Sequence, residues 1–199
     1  MEEKMGRRYD HSSVELKELM LKSAEDLINA EGYRNLTARK ISKQMNYSVG
    51  TLYNIFDNLN DIIMHVNART LKKIKNQFIK KTQDSPNDIV ALAYTYINFW
   101  DTNTQLADML FNYKQPANLD IPSFVQNEIN HIYQIIIDIL MPKLNNNSEL
   151  AQTTCAVLWG GLHGICVLTM GGKMGLFSSE TAHKLGESFV SGYLKGVLS

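Results

Sequence analysis

Residues Leu36 to Phe56 read Leu-Thr-Ala-Arg-Lys-Ile-Ser-Lys-Gln-Met-Asn-Tyr-Ser-Val-Gly-Thr-Leu-Tyr-Asn-Ile-Phe, and the spacing within this stretch decides the fold. Ala38, Ile41, Ser42 and Met45 fall at i, i+3, i+4 and i+7, the stripe that one face of a helix buries. Thr37, Arg39, Lys40, Lys43 and Gln44 are left to water. Thr37 is suited to cap the first turn, because its hydroxyl can accept a bond from an unpaired backbone N–H. Asn46 and Tyr47 break the period. Asn tolerates the left-handed backbone that ends a helix, and Ser48 can cap a second one in which Leu52, Ile55 and Phe56 point inward. The opposite face of this second helix, Ser48, Gly50, Thr51, Tyr53 and Asn54, carries hydrogen-bonding groups and no acid. Side chains of that kind reach base edges and phosphates in a major groove, and Gly50 lets the backbone approach closely. An ordinary helical hairpin with a solvated face has the same pattern.

The match extends beyond chemistry to a family. Thr37, Arg39, Ile41, Ser48, Gly50, Thr51, Leu52, Tyr53 and Phe56, with Gly32-Tyr33 upstream and Asn58 to Ile63 downstream, resemble the head of the TetR-type one-component transcriptional repressors. The resemblance covers about the first third of the chain. It implies double-stranded DNA with a near-palindromic operator as partner, a homodimer, and a small-molecule effector. It also implies DNA contact by Thr37, Arg39, Ser48, Gly50, Thr51, Tyr53 and Asn54. Three positions depart from the family pattern: Asn46 stands where Gly is usual, Tyr47 where Val is usual, and Leu59 where a phosphate-binding Lys is common.

Composition points the same way only when the chain is divided. The 199 residues carry no net charge. Through Gln83, fifteen Lys and Arg face ten Asp and Glu; from Asp84 onward five face ten. A basic head on an acidic body suits a DNA-binding module joined to one with another task. Cys155 and Cys166 lie about three turns apart on one expected helix, too far for a mutual disulfide, and reduced thiols fit a cytoplasmic protein. The charged N-terminus is followed by no apolar run, so no secretory signal is expected.

Residues 1–11, with Lys4, Arg7 and Arg8, show no period and read as a mobile arm. A helix from Ser12 or Ser13 buries Leu16, Leu19, Met20, Ala24, Leu27 and Ile28 and ends at Gly32. Asn58 and Asp61 form a capping pair for a long helix to about Lys81, with Ile62, Ile63, Val66, Thr70, Ile74 and Phe78 inward and Lys72, Lys73, Lys75, Lys80 and Lys81 outward. Asp84-Ser85-Pro86-Asn87 breaks it. Further helices are expected over Ile89–Trp100 and Gln105–Asn112, from Pro122 to Leu140, from a Ser148 cap to Thr169 with a stop at Gly171-Gly172, and from Ser178 or Ser179 to Leu198. The expected fold is all-α with about nine helices. A three-helix head with a helix-turn-helix (1–57) precedes a larger ligand-binding and dimerisation body (58–199), and residues 58–83 form the linking helix.

Residues 150–172 carry no charge, a length that can span a bilayer. Gln152, Thr153, Thr154, His163 and five glycines, without a basic flank, argue instead for burial between the body's core and a partner subunit. Within this run Trp159-Gly160-Gly161-Leu162-His163-Gly164 matches the Trp-x-x-x-His-Gly signature of one C-terminal subfamily of these repressors. The glycines flatten one side, with Gly161 and Gly164 the expected dimer contacts. Aromatic density at Tyr96, Phe99, Trp100 and Phe111, facing helices that bear His131, Trp159 and His163, marks either a ligand pocket or a filled core.

Catalytic signatures are absent: no Gly-rich phosphate loop, no His-Glu-x-x-His, no Cys-x-x-Cys and no Gly-x-Ser-x-Gly. His163 and Cys166 alone do not make a metal site, and no cofactor is expected. The expectation is therefore a non-enzymatic, ligand-responsive repressor released from its operator by a small apolar molecule. A DNA-bound structural or adaptor protein without an effector is the alternative, to be told apart by whether the body holds an aromatic-lined cavity.

Overall fold

A computed structural model describes residues 12–170 and 179–199, and these form nine α-helices and no strand. The basic arm, the Gly171-Gly172 stop and the Ser178 cap lie outside the described residues. The helices are α1 (Ser13–Glu31), α2 (Ala38–Gln44), α3 (Val49–Tyr53), α4 (Leu59–Asp84), α5 (Ile89–Thr102), α6 (Thr104–Asn112), α7 (Ser123–Leu140), α8 (Ser148–Met170) and α9 (Ser179–Leu198). Two compact units divide after Val66, inside α4.

In the first unit, local chemistry fixes nearly every boundary. Ser12 and Glu15 form a reciprocal capping box on α1. Gly32, at φ 78°, closes the helix by donating its N–H to the Ile28 carbonyl at 2.8 Å. A short 3₁₀ turn over Tyr33–Asn35 follows, with the Arg34 guanidinium 4.7 Å from the Tyr33 ring centre. Met20, Leu21, Ala24 and Ile28 of α1 meet Ile41, Leu52 and Phe56 in the core of this unit. Leu21 takes the place expected of Leu19, which is 38% exposed. Lys17 lies over the Phe56 ring at 5.3 Å and reaches Nε2 of His65 at 3.1 Å, so α1 braces both α3 and the first turns of α4.

The second unit is built on α5, α7, α8 and α9, with α8 packed against the other three. Its buried residues include Ile74, Phe78, Leu92, Ile97, Phe99, Trp100, Leu106, Met109, Ile132, Leu140, Leu158 and Val190. Two glycines permit close helix approach: a side chain at Gly161 would collide with Phe189, and one at Gly186 with Ile97. Asp88 caps α5, and Asn145 and Asn146 adopt left-handed backbone beyond α7. Asn147, rather than Ser148, caps α8: its side-chain oxygen accepts from Leu150 N–H at 3.1 Å, and Ser148 is already helical. Lys75 is not on a solvated face either; it pairs with Glu128 of α7, each side chain no more than 20% exposed.

By length and composition α8 is apolar enough to cross a membrane, but it is one helix of a packed body.

Candidate functional site

The helix pair of the first unit is built from its caps outward. Thr37 Oγ1 accepts from Lys40 N–H at 3.2 Å to start α2. Asn46 takes φ 57°, the left-handed conformation the turn needs. Ser48 Oγ accepts from Thr51 N–H at 3.1 Å and lies 2.8 Å from Thr51 Oγ1, so the two hydroxyls form one local pair at the start of α3. Ala38, Ile41, Ser42 and Leu52 are buried, Met45 and Ile55 half-buried. That burial turns Thr37, Arg39, Ser48, Gly50, Tyr53 and Asn54 to solvent, with Thr51 partly exposed. All seven expected DNA-contacting residues thus lie on the accessible side of α2 and α3. Tyr53, 46% exposed, places a large ring where the head's core gives it no support. Gly50 has no positive φ, and a Cβ there would meet only Ser48 Oγ, at an ordinary 3.6 Å. Nothing within the head requires this residue to be glycine. Leu59, the first residue of α4, is half-buried.

In the second unit, aromatic rings from α5, α6, α7 and α8 converge. Trp100 and Phe111 stack with ring centres 5.5 Å apart, and the His163 ring lies 4.3 Å from Phe111 and 5.6 Å from Trp100. Trp159 meets Tyr96 at 5.0 Å, Tyr133 at 5.5 Å and Phe111 at 6.4 Å. One hydrogen bond crosses this cluster, between the Tyr96 hydroxyl and Nδ1 of His163 at 3.2 Å. Burial lowers the His163 pKa, so the imidazole is neutral. Burial also raises the Tyr96 pKa far above its usual value, offset in part by the nearby Trp100 N–H. That N–H is buried and meets no acceptor at hydrogen-bonding geometry.

Beside the cluster lies a cavity of about 170 Å³, lined by Leu71, Leu110, Phe111, Ile129, Ile132, Tyr133 and Trp159. A smaller one of about 20 Å³ lies against Phe78, Ile89, Leu92, Ala93, Tyr96, Ile136, Leu158, Trp159 and Leu162. Neither wall carries a charged side chain. Of the residues expected to line a pocket, Tyr96, Phe111 and Trp159 do so; Trp100 and His163 stand in the ring cluster, and Phe99 is buried on α5. His131 does not join them: it is exposed, because α7 buries Val125, Ile132, Ile136, Ile139 and Leu140 and turns position 131 outward. The aliphatic wall from Leu71, Ile129 and Ile132 escaped the sequence reading, since rows of Leu and Ile on an amphipathic helix look alike whether they face a core or a void. Burial pushes the Cys155 and Cys166 thiols up to about 12, which keeps them protonated. Among the described residues no group of three or more His, Cys, Asp or Glu converges on a metal-sized site.

A third feature is the outer side of α8 and α9. Thr153, Ala156, Val157, Gly160 and Leu168 of α8 and Leu185, Gly192 and Leu198 of α9 are exposed. Gly160 and Gly164 have open space where a side chain would stand. Gly161, expected at a dimer contact, faces Phe189 of its own chain, because its turn of α8 points at α9.

Residues 20–64 match the sequence profile described as bacterial regulatory proteins, tetR family. No curated protein matches the chain in sequence at a significant level. Solved structures share the fold over nearly the whole length. A protein of unknown function from Rhodococcus sp. RHA1 is 15% identical, with 98% of this chain and 100% of that one covered at a TM-score of 0.77. The fatty acid degradation regulator FadR from Bacillus halodurans is 13% identical, covers 93% and 98%, and gives 0.70. The transcriptional regulator FadR from Bacillus subtilis, solved in complex with stearoyl-CoA, is 17% identical, covers 88% and 98%, and gives 0.68.

Proposed function

We propose that the chain, whose residues 20–64 match the profile of bacterial regulatory proteins of the tetR family, is a cytoplasmic, ligand-responsive repressor. In this reading two copies hold a near-palindromic operator, and a small, mostly apolar molecule entering the body releases it. The observation that carries the reading is the outer side of α2 and α3: polar, free of acids, capped into shape, and bare at Gly50 for no reason internal to the head. Tyr53 and Thr37 are assigned to phosphates, Gly50 and Thr51 to the groove floor, and Arg39, Ser48 and Asn54 to its walls. Residues 1–57 act as the reading head and 58–199 as the body, with residues 58–83 as the linking helix.

The exposed, uncharged side of α8, with Leu185 and Gly192 of α9 exposed beside it, supports a four-helix dimer interface centred on Gly160 and Gly164, and argues against membrane insertion. A two-fold axis would then set the recognition helices about 34 Å apart or somewhat more. The uncharged cavity of about 170 Å³ supports an apolar effector. The Bacillus subtilis regulator, a protein of the same fold, was solved in complex with stearoyl-CoA, and only the acyl tail of that ligand is chemically akin to such an effector. To move a dimer from 99% competent to 1%, the effector must prefer the released state by about 5.5 kcal/mol.

The test is selection of bound fragments from random DNA, followed by a metabolite screen for release from the selected site. Recovery of a palindromic site, released by an apolar compound, is the expected result. A selected site that no compound releases would favour a DNA-bound adaptor, and no enriched site would defeat the DNA-binding assignment.

A further inference from the structure

Trp159 is the one residue shared by the walls of the two cavities beside the aromatic cluster. On α4, Leu71 borders the larger and Phe78 the smaller; on α7, Ile132 borders the larger and Ile136 the smaller. The two chambers therefore follow one another along the same pair of helices, one to two turns apart, with the Trp159 ring between them. On the side of the smaller chamber the indole meets Tyr96; on the side of the larger it meets Tyr133 and Phe111.

The volumes decide what fits without movement. A dry apolar cavity of about 150 Å³ accepts a benzene-sized guest, so the larger chamber, at about 170 Å³, takes a short aliphatic or aromatic group. The smaller, at about 20 Å³, has room for little more than one water-sized group. An unpaired charge in either would be strongly disfavoured, since no wall residue can answer it.

We propose that Trp159 is a partition that sets the length of an uncharged, linear aliphatic ligand. Short guests fill the larger chamber with the indole in place. Longer chains turn the indole aside and run on toward Tyr96, breaking the Tyr96 and Trp159 ring contact. The proposal rests on the ligand-binding reading of the body given above and adds the chemical class and the residue that measures it.

The test titrates the full chain with 1-hexanol and 1-decanol by calorimetry, for wild type, Trp159→Ala and Trp159→Phe. Trp100 is then the only tryptophan left in either variant, so its emission gives a second readout. Trp159→Ala should shift the affinity ratio toward 1-decanol by tenfold or more, with Trp159→Phe between it and wild type. Should Trp159→Ala lose its helical circular dichroism, the Trp159→Phe shift carries the comparison. Both alcohols binding with an unchanged ratio in the folded variants would overturn the partition and leave the ligand-binding reading standing. No binding of either alcohol to wild type or variants would overturn both.

Discussion

The Tyr96 hydroxyl stands 3.2 Å from Nδ1 of His163, joining α5 to α8 through the middle of the aromatic cluster. Trp100 and Phe111 pack around the imidazole, and its burial among these rings lowers its pKa from the usual 6.5 by penalising the charged form. Protons bind more readily to the unfolded chain than to the native one at this residue. Stability is therefore fully present above about pH 6.5 and is lost as the pH falls through the lowered native pKa. His65 in the head, lowered by burial and by Lys17, contributes with the same sign. Urea denaturation at pH 7.5 and pH 5.5 should show a marked loss in the wild type and a smaller loss in His163→Gln. Equal losses in the two proteins would place the titration elsewhere.

Gly50→Ala separates folding from recognition. The added methyl meets an ordinary contact with Ser48 Oγ at 3.6 Å, and Ala is favoured over Gly in a helix by about 1 kcal/mol. The variant should melt at the same temperature as the wild type or higher, while its affinity for the selected operator falls about tenfold or more. Unchanged operator affinity would mean that this backbone does not approach DNA.

Leu59 stands at the first position of α4, where the resemblance to TetR-type heads implies a phosphate-binding Lys. Leu59→Lys should strengthen operator binding and steepen the salt dependence by about one unit in the log–log slope. Fluorescence anisotropy across a salt series measures it. A slope identical to the wild type would show that position 59 faces no phosphate.

Two glycines of α8, three residues apart, should fail differently. Gly161→Ala forces Phe189 to move, and overpacking of this kind costs about 1 to 3 kcal/mol of stability. Gly164→Leu meets open space within the chain and should leave the monomer's fold intact while abolishing dimers in analytical ultracentrifugation. Dimers that persist in Gly164→Leu would move the interface to another surface.

The stretch from Thr37 to Phe56 could be read in advance because its determinants are local. Capping hydroxyls at Thr37 and Ser48, a left-handed Asn46 and inward residues at helical spacing act over a few residues, and each leaves a mark in the one-dimensional pattern. The same holds for the Asn58 and Asp61 pair, where Asn58 Oδ1 accepts from Asp61 N–H at 3.0 Å. Which side of α7 and α8 meets which neighbour is a different matter. His131 and Ile132 are adjacent in sequence, and only the packing of α7 in the body sends one outward and the other to a cavity wall. Gly161 and Gly164 look equivalent along the chain, yet one is occupied from inside by Phe189 and the other is open. The pairing of Lys75 with Glu128 and the place of Trp159 between two chambers depend likewise on residues dozens of positions apart. The sequence alone determined the helices, the caps at Thr37, Ser48 and Asn58, and the helix-turn-helix pattern, because hydrogen bonding within a turn is short-ranged. Tertiary packing alone decided where the voids and the uncovered faces lie, because a void belongs to no single helix.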